Sequence, residues 1–192
     1  MYIISKKVVL AALIFVGLFS QQAFTQQSYK ISGKPEMKVS GTSTLHDWDM
    51  VSSDVQGNAS MRISAGKVTS IGSAKFTMPV ASLKSGKNQM DNNAYKALNE
   101  GDHPNITFTL LEANQDGGND WKASGRLQIS GETRTVPFLL SVSPDGSEVK
   151  VRGSAKIKLT DFGVDPPTAV FGTIKTGDDM SITIEMNLNP VN

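Results

Sequence analysis

The sequence predicts an all-β fold, an eight-stranded antiparallel up-and-down barrel with one short helix between two strands capping an end. Three observations carry this. Beyond residue 26, apolar residues alternate with polar ones over most of the chain, the mark of antiparallel strands with one face in water. Short turns rich in Gly, Asp, Ser and Pro separate most of the alternating runs. Helical spacing interrupts the alternation in one place, within residues 74–111. One short helix cannot cover the apolar face of a large sheet, so the sheet must close on itself or pair with another. Sequential hairpins favour the barrel, with a Greek-key sandwich as the alternative.

The first 25 residues are expected to lie outside the fold. Lys6 and Lys7 precede an apolar run at residues 8–19, and the small residues Ala23 and Thr25 follow. The run is short for a bilayer span and right for a secretory signal peptide, with cleavage expected near Thr25–Gln26. The expected mature domain is 26–192, periplasmic or extracellular, with no stable membrane insertion. An uncleaved anchor is the other reading of the same run. The chain has 19 basic and 18 acidic residues, and Lys6 and Lys7 fall in the leader, so the mature charge is 17 − 18 = −1. Such a balance has no broad basic field for nucleic acid. There is no cysteine, which excludes disulfides, thiolate metal sites and a cysteine nucleophile.

The elements follow in order. Ile31, Met37, Val39 and Gly41 share one parity, and a polar segment, residues 42–50 (TSTLHDWDM), follows. Val55, Gly57, Ala59, Met61 and Ile63 make a second strand, turned at Ala65-Gly66. The return strand carries Val68, Gly72, Ala74, Phe76, Met78 and Val80. The helix places Met90, Ala94, Ala97 and Leu98 on one face and Asn92, Asn93, Lys96 and Asn99 on the other. Ile106, Phe108 and Leu110 resume the alternation, which continues past a turn at residues 116–119 with Trp121, Ala123, Gly125, Leu127 and Ile129. After Ser130-Gly131 come Val136, Phe138, Leu140 and Val142. A turn at residues 144–147 leads to Val149, Val151, Gly153, Ala155, Ile157 and Leu159. The last strand carries Met180, Ile182, Ile184, Met186 and Leu188. Pro79 and Pro137 sit inside strand patterns and predict a bulge or an unpaired end at each. Residues 160–179 have no clear period. Phe162, Val164, Val170, Phe171 and Ile174 make them too apolar for a solvated loop, so this segment is expected to pack against a barrel mouth.

No catalytic motif stands out. His46, Asp47 and His103 form the one imaginable metal-dependent enzyme site, but their spacing fits no ligand motif. The plain reading is of polar loop residues beside Trp48. No GxSxG elbow and no phosphate-binding glycine loop is present. Small residues on the inward parity leave two interiors open: a solid core of interdigitated side chains, serving as a ligand-free partner-binding barrel, or a tunnel. A tunnel would suit a long apolar ligand, because burial is worth roughly 0.8 kcal/mol per methylene and needs no charged clamp. An isoprenoid-type tail is such a ligand.

Several segments together resemble the YceI-like, or polyisoprenoid-binding, domain family. They are Tyr29-Lys30-Ile31, residues 41–48 (GTSTLHDW), residues 80–86 (VASLKSG), residues 103–108 (HPNITF), residues 125–134 (GRLQISGETR) and residues 161–164 (DFGV). The resemblance spans the mature chain. It implies a lipocalin-like barrel, secreted and non-catalytic, that holds a polyprenyl or quinone tail and needs no cofactor. The wall is expected from Phe76, Met78, Ile106, Phe108, Leu127, Phe138, Leu140, Ile157, Ile182 and Ile184. Met90, Tyr95 and Leu98 of the helix, with Phe162 and Phe171, are expected to close a mouth. The chain departs from the family pattern at His46-Asp47-Trp48, where a polar first loop is expected to reshape one mouth. Nothing in the sequence sets the oligomeric state, and a homodimer stays open.

Overall fold

A computed structural model describes residues 26–191; the expected leader, residues 1–25, lies outside the described residues. The elements are β1 (Gln27–Ser43), β2 (Trp48–Ser52), β3 (Gln56–Ser64), β4 (Lys67–Pro79), α1 (Asn88–Ala97), β5 (Asn105–Gly117), β6 (Asp120–Ile129), β7 (Glu132–Asp145), β8 (Glu148–Lys158), β9 (Thr168–Ala169) and β10 (Ile174–Pro190). Nearly every strand pairs with its neighbour in the chain, always antiparallel, and β1 pairs with β10 to close the ring. β2 and β3 share one stave: β3 runs beside residues 27–30 of β1, and β2 beside residues 37–41. With β9 a small side hairpin on β10, the described strands make a closed barrel of eight staves.

The alternation explains the staves. Along β6, Trp121, Ala123, Gly125, Leu127 and Ile129 are buried while Lys122, Arg126 and Gln128 are exposed. On the outside, Lys150 and Arg152 of β8 pair with Glu185 of β10 at 2.9 and 3.6 Å. One parity assignment is corrected. The β3–β4 register slips between Ser60↔Ser73 and Met61↔Ile71, so Gly72 is an extra, bulged residue. Ile71 takes the inward place expected for it. Pro79 closes the β4–β5 ladder opposite Asn105. Pro137 pairs with Ser124 on one side, and the β7–β8 ladder on the other side begins only at Leu139. Neither proline therefore breaks a continuous ladder.

The barrel has two unlike ends. At one, tight turns join the strands, and Tyr29, Met61, Val68, Trp121, Val149 and Leu188 pack into a buried floor. The other end carries α1, the loop after β1 and the long connection between β8 and β10. There the β7–β8 seam opens, because residues 132–138 of β7 and 155–158 of β8 are not paired with each other. A 3-10 turn, Thr160–Phe162, packs on both strands. Phe162 is 1% exposed and clusters with Ile129, Val136 and Phe138. It plugs the seam.

Asp178 at the start of β10 holds this plug. The Thr160 backbone N–H donates to its Oδ1 at 2.9 Å and the Thr160 hydroxyl to its Oδ2 at 2.7 Å. Those two bonds, the backbone one foremost, hold the Asp178 carboxyl below the ordinary value of 3.8. A carboxylate depressed on folding adds stability above its unfolded value and loses it as pH falls through its folded value. The melting temperature of the wild-type barrel is therefore expected to fall between about pH 4 and pH 2 more steeply than that of Asp178→Asn. Equal slopes in the two proteins would show that Asp178 is not held in this way.

Candidate functional site: an apolar cavity inside the barrel

The helix reaches its place through polar anchors. The Tyr95 hydroxyl donates to the Leu83 carbonyl at 2.6 Å, with the Ala81 carbonyl at 3.0 Å, and accepts from Lys84 Nζ at 2.7 Å. Asp91, buried in the first turn, accepts from the Ser85 backbone N–H at 2.8 Å and the Ser85 hydroxyl at 2.6 Å. Burial pushes its carboxyl up, but the two Ser85 bonds and the nearby Lys84 outweigh this and hold it below the ordinary range. The strap before the helix is tied to β2 by paired backbone bonds between Val51 and Lys84, 2.8 and 2.9 Å long. A partly buried relay reinforces it: the Asp54 N–H donates to Ser52 Oγ, Ser52 and Ser82 share a 2.7 Å bond, and Ser82 Oγ donates to the Pro79 carbonyl at 2.6 Å. These bonds hold α1 across the barrel end, as its position between β4 and β5 predicts.

Beneath α1 lies a cavity of about 510 Å³, running along the barrel from the mouth toward the floor. Well-packed interiors contain few voids larger than a water molecule, so the solid-core reading is overturned. The wall is apolar through most of its depth, with Met37, Ala74, Val151 and Met186 among the deeper residues. Polar groups gather at the mouth, where Ser43, His46, Lys87, Gln89, Asn93 and Thr176 line it.

Twelve of the fifteen expected site residues stand on this wall. Phe76, Met78, Ile106, Phe108, Leu127 and Phe138 do so, as do Leu140, Ile157, Ile182 and Ile184, with Met90 and Leu98 at the helix. Three do not. Tyr95 turns its hydroxyl to the strap carbonyls and acts as an anchor. Phe162 plugs the seam. Phe171, expected to pack on a mouth, is fully exposed at a hairpin tip, 109% of its reference area. Trp48 and Met50 line the cavity without having been expected to. Trp48, Met50 and Ser52 do alternate, which is the signal of β2, but five residues are few for a period to show.

The inward glycines make room for large neighbours that lie over them. A Cβ at Gly125 would strike the Phe108 ring, one at Gly41 the Trp48 ring, and one at Gly153 the Leu140 side chain. Each lets a large side chain lie close against the wall. Phe108 then meets Phe138 edge-on, with centroids 5.1 Å apart and planes at 70°. These side chains stand against the wall, close over the bare backbone of the glycines.

The metal-dependent alternative finds no geometry. Among the described residues no three His, Asp or Glu side chains gather to hold an ion. His46 donates from Nδ1 to the Asp47 carbonyl, 2.7 Å away, and the His103 ring packs against Gly131. Among the described residues no helix is long and apolar enough to cross a membrane.

A closed eight-stranded barrel enclosing a long apolar cavity under a helical cap is a lipocalin-like architecture. The chain belongs to the YceI-like domain family, whose profile matches residues 25–188. No curated protein matches the chain. Solved structures share the fold. BcnA from Burkholderia cenocepacia is 19% identical, with a TM-score of 0.66 over 80% of this chain and 95% of that one. A polyisoprenoid-binding domain from Saccharophagus degradans, implicated in plant cell wall breakdown, is 14% identical, with a TM-score of 0.65 over 86% and 99%. The YceI protein of Campylobacter jejuni is 19% identical, with a TM-score of 0.56 over 72% and 82%.

The wall geometry is testable at Gly125. Gly125→Ala forces Phe108 inward or shifts the β5–β6 pair, and overpacking of this kind typically costs about 1–3 kcal/mol. Urea denaturation should register that loss, whereas Gly101→Ala, where nothing stands within 4 Å of the added carbon, should cost less. Equal stabilities would show that Phe108 does not depend on the bare backbone of β6.

Proposed function

We propose that the protein is a non-catalytic carrier that holds a long isoprenoid-type lipid, a polyprenyl or quinone tail, inside the barrel. The single observation that carries this is the continuous apolar cavity of about 510 Å³, within the range of small-molecule sites. Its form suits a flexible, unbranched-to-lightly-branched chain entered end first, and the polar mouth suits a head group left near water. Each isoprene unit has five carbons, so its burial is worth about 4 kcal/mol before ordering costs. Family membership supports the reading, as does the polyisoprenoid-binding domain among the structural neighbours. The basic and apolar leader and the absence of cysteine support export to the periplasm or beyond; osmotic-shock fractionation tests that directly.

Denaturing extraction of protein purified from its own cells, followed by lipid mass spectrometry, tests the binding. A near-stoichiometric isoprenoid lipid is expected. Ala74→Trp, which shortens the cavity from β4, should retain less of the lipid, or only a shorter one, while keeping a cooperative melt. Recovery of no lipid from the wild type, with no thermal shift on adding a polyprenyl alcohol, would refute the carrier reading.

A further inference from the structure

The cavity mouth carries a feature that the binding of a lipid tail does not use. β9 and the start of β10 form a small hairpin, pairing Ala169 with Ile174 and Thr168 with Lys175. At its tip Val170 and Phe171 both adopt left-handed backbone, with φ of +50° and +54°, before Gly172 at +85°. Such φ values are unfavourable for β-branched and bulky residues. Phe171 is nonetheless fully exposed and Val170 is 62% exposed. The other described phenylalanines, Phe76, Phe108, Phe138 and Phe162, are all buried or half-buried. Strain in an exposed apolar tip gains nothing for the barrel's own core, and retained strain of this kind gathers at functional segments.

A second loop joins the tip. The Thr44 N–H donates to the Lys175 carbonyl at 2.9 Å, the Lys175 N–H donates to Thr44 Oγ1 at 3.1 Å, and the Thr44 hydroxyl lies 3.4 Å from the Thr173 carbonyl. The next residue, Leu45, is 65% exposed. The two loops are thus stitched together with Leu45, Val170 and Phe171 presented on one rim. Leu45 and Val170 also line the cavity, so the exposed rim and the lumen share these two side chains.

We propose that this rim docks on a lipid bilayer, with Phe171 as the inserted side chain, and seats the cavity mouth against the membrane. The proposal rests on the reading of the cavity as a lipid site, for which the docked mouth is the way in and out. A protein partner is disfavoured by size: a stable protein interface takes roughly 800 Å² from each side, far beyond three side chains. A bilayer asks only for an apolar tip that reaches the acyl boundary. The two stitched loops, residues 44–47 and 160–175, carry Asp47, Asp161 and Asp165 against Lys175, so even with Lys87 at the mouth there is no basic excess. Docking is therefore apolar and peripheral, with little dependence on anionic lipid.

Flotation of residues 26–192, which hold every strand and core cluster of the barrel, with phosphatidylcholine vesicles tests this. Wild type should float with the vesicles. Phe171→Ser should bind about tenfold more weakly, the scale of one lost phenylalanine burial. Phe171→Gly should lose binding equally while melting at or above the wild-type temperature, because it relaxes the left-handed backbone. Phe171→Trp should retain binding, and replacing a third of the lipid with phosphatidylglycerol should change little. Failure of wild type to float, or equal flotation of Phe171→Ser, would overturn the proposal. So would Phe171-dependent dimerisation in place of flotation, which would give the rim to a second copy. A thermal shift with added farnesol, which should be the same in wild type and Phe171→Ser, separates the two readings. A shift without flotation sinks the docking alone, and flotation without a shift sinks the cavity reading alone.

Discussion

The ladder between β1 and β10 is the constraint on which the rest depends. It runs from Tyr29↔Pro190 to Ser43↔Thr176 and joins the two ends of the folded chain. Without it the sheet would have two long edges and an apolar face with no second layer to cover it. With it, every inward residue faces another inward residue across the lumen. Eight staves set a diameter just wide enough that side chains either fill the interior or enclose one small ligand. Gly41, Gly125 and Gly153 let Trp48, Phe108 and Leu140 lie close to the wall, and space remains along the axis.

The two ends of that space are built from different materials. The floor is made of side chains that belong to staves, and the tight turns beneath it give them no freedom to part. The mouth is made of inserted pieces: the helix with its strap, the seam turn and the rim hairpin. Each is fastened by polar bonds: the helix by Tyr95 to the Leu83 carbonyl and Asp91 to Ser85, the seam turn by Asp178 to Thr160, and the rim hairpin by Lys175 to Thr44. Such bonds are each worth little net and open more readily than a packed floor. A ligand entering this barrel would therefore pass the mouth, where polar groups stand ready for whatever part of it stays near water.

Much of this was legible in the sequence because strand parity is a strict code. Period two assigned Phe76, Met78, Leu127 and Ile184 to the lumen, and the closed ring left them nowhere else to face. The code fails where the period fails. A bulge shifted the place expected for Gly72 to Ile71. β2 was too short to show its alternation. Tyr95 satisfies a hydroxyl that hydropathy does not register, and Phe162 plugs a seam that exists only because the β7–β8 ladder stops at Leu139. Phe171 was expected to pack against the mouth on its hydrophobicity, but the backbone of its turn directs it into solvent.

The central claim is that the barrel interior is a site for a long apolar chain. The most direct measurement is a thermal-shift series with polyprenyl alcohols of increasing length at fixed concentration. Ligand stabilisation follows the logarithm of affinity, and affinity should climb with each buried isoprene unit until the cavity is filled. The account predicts a rise over the first few units and then a plateau, with Ala74→Trp reaching its plateau earlier. No shift at any length, or the same shift for every length and for Ala74→Trp, would contradict it.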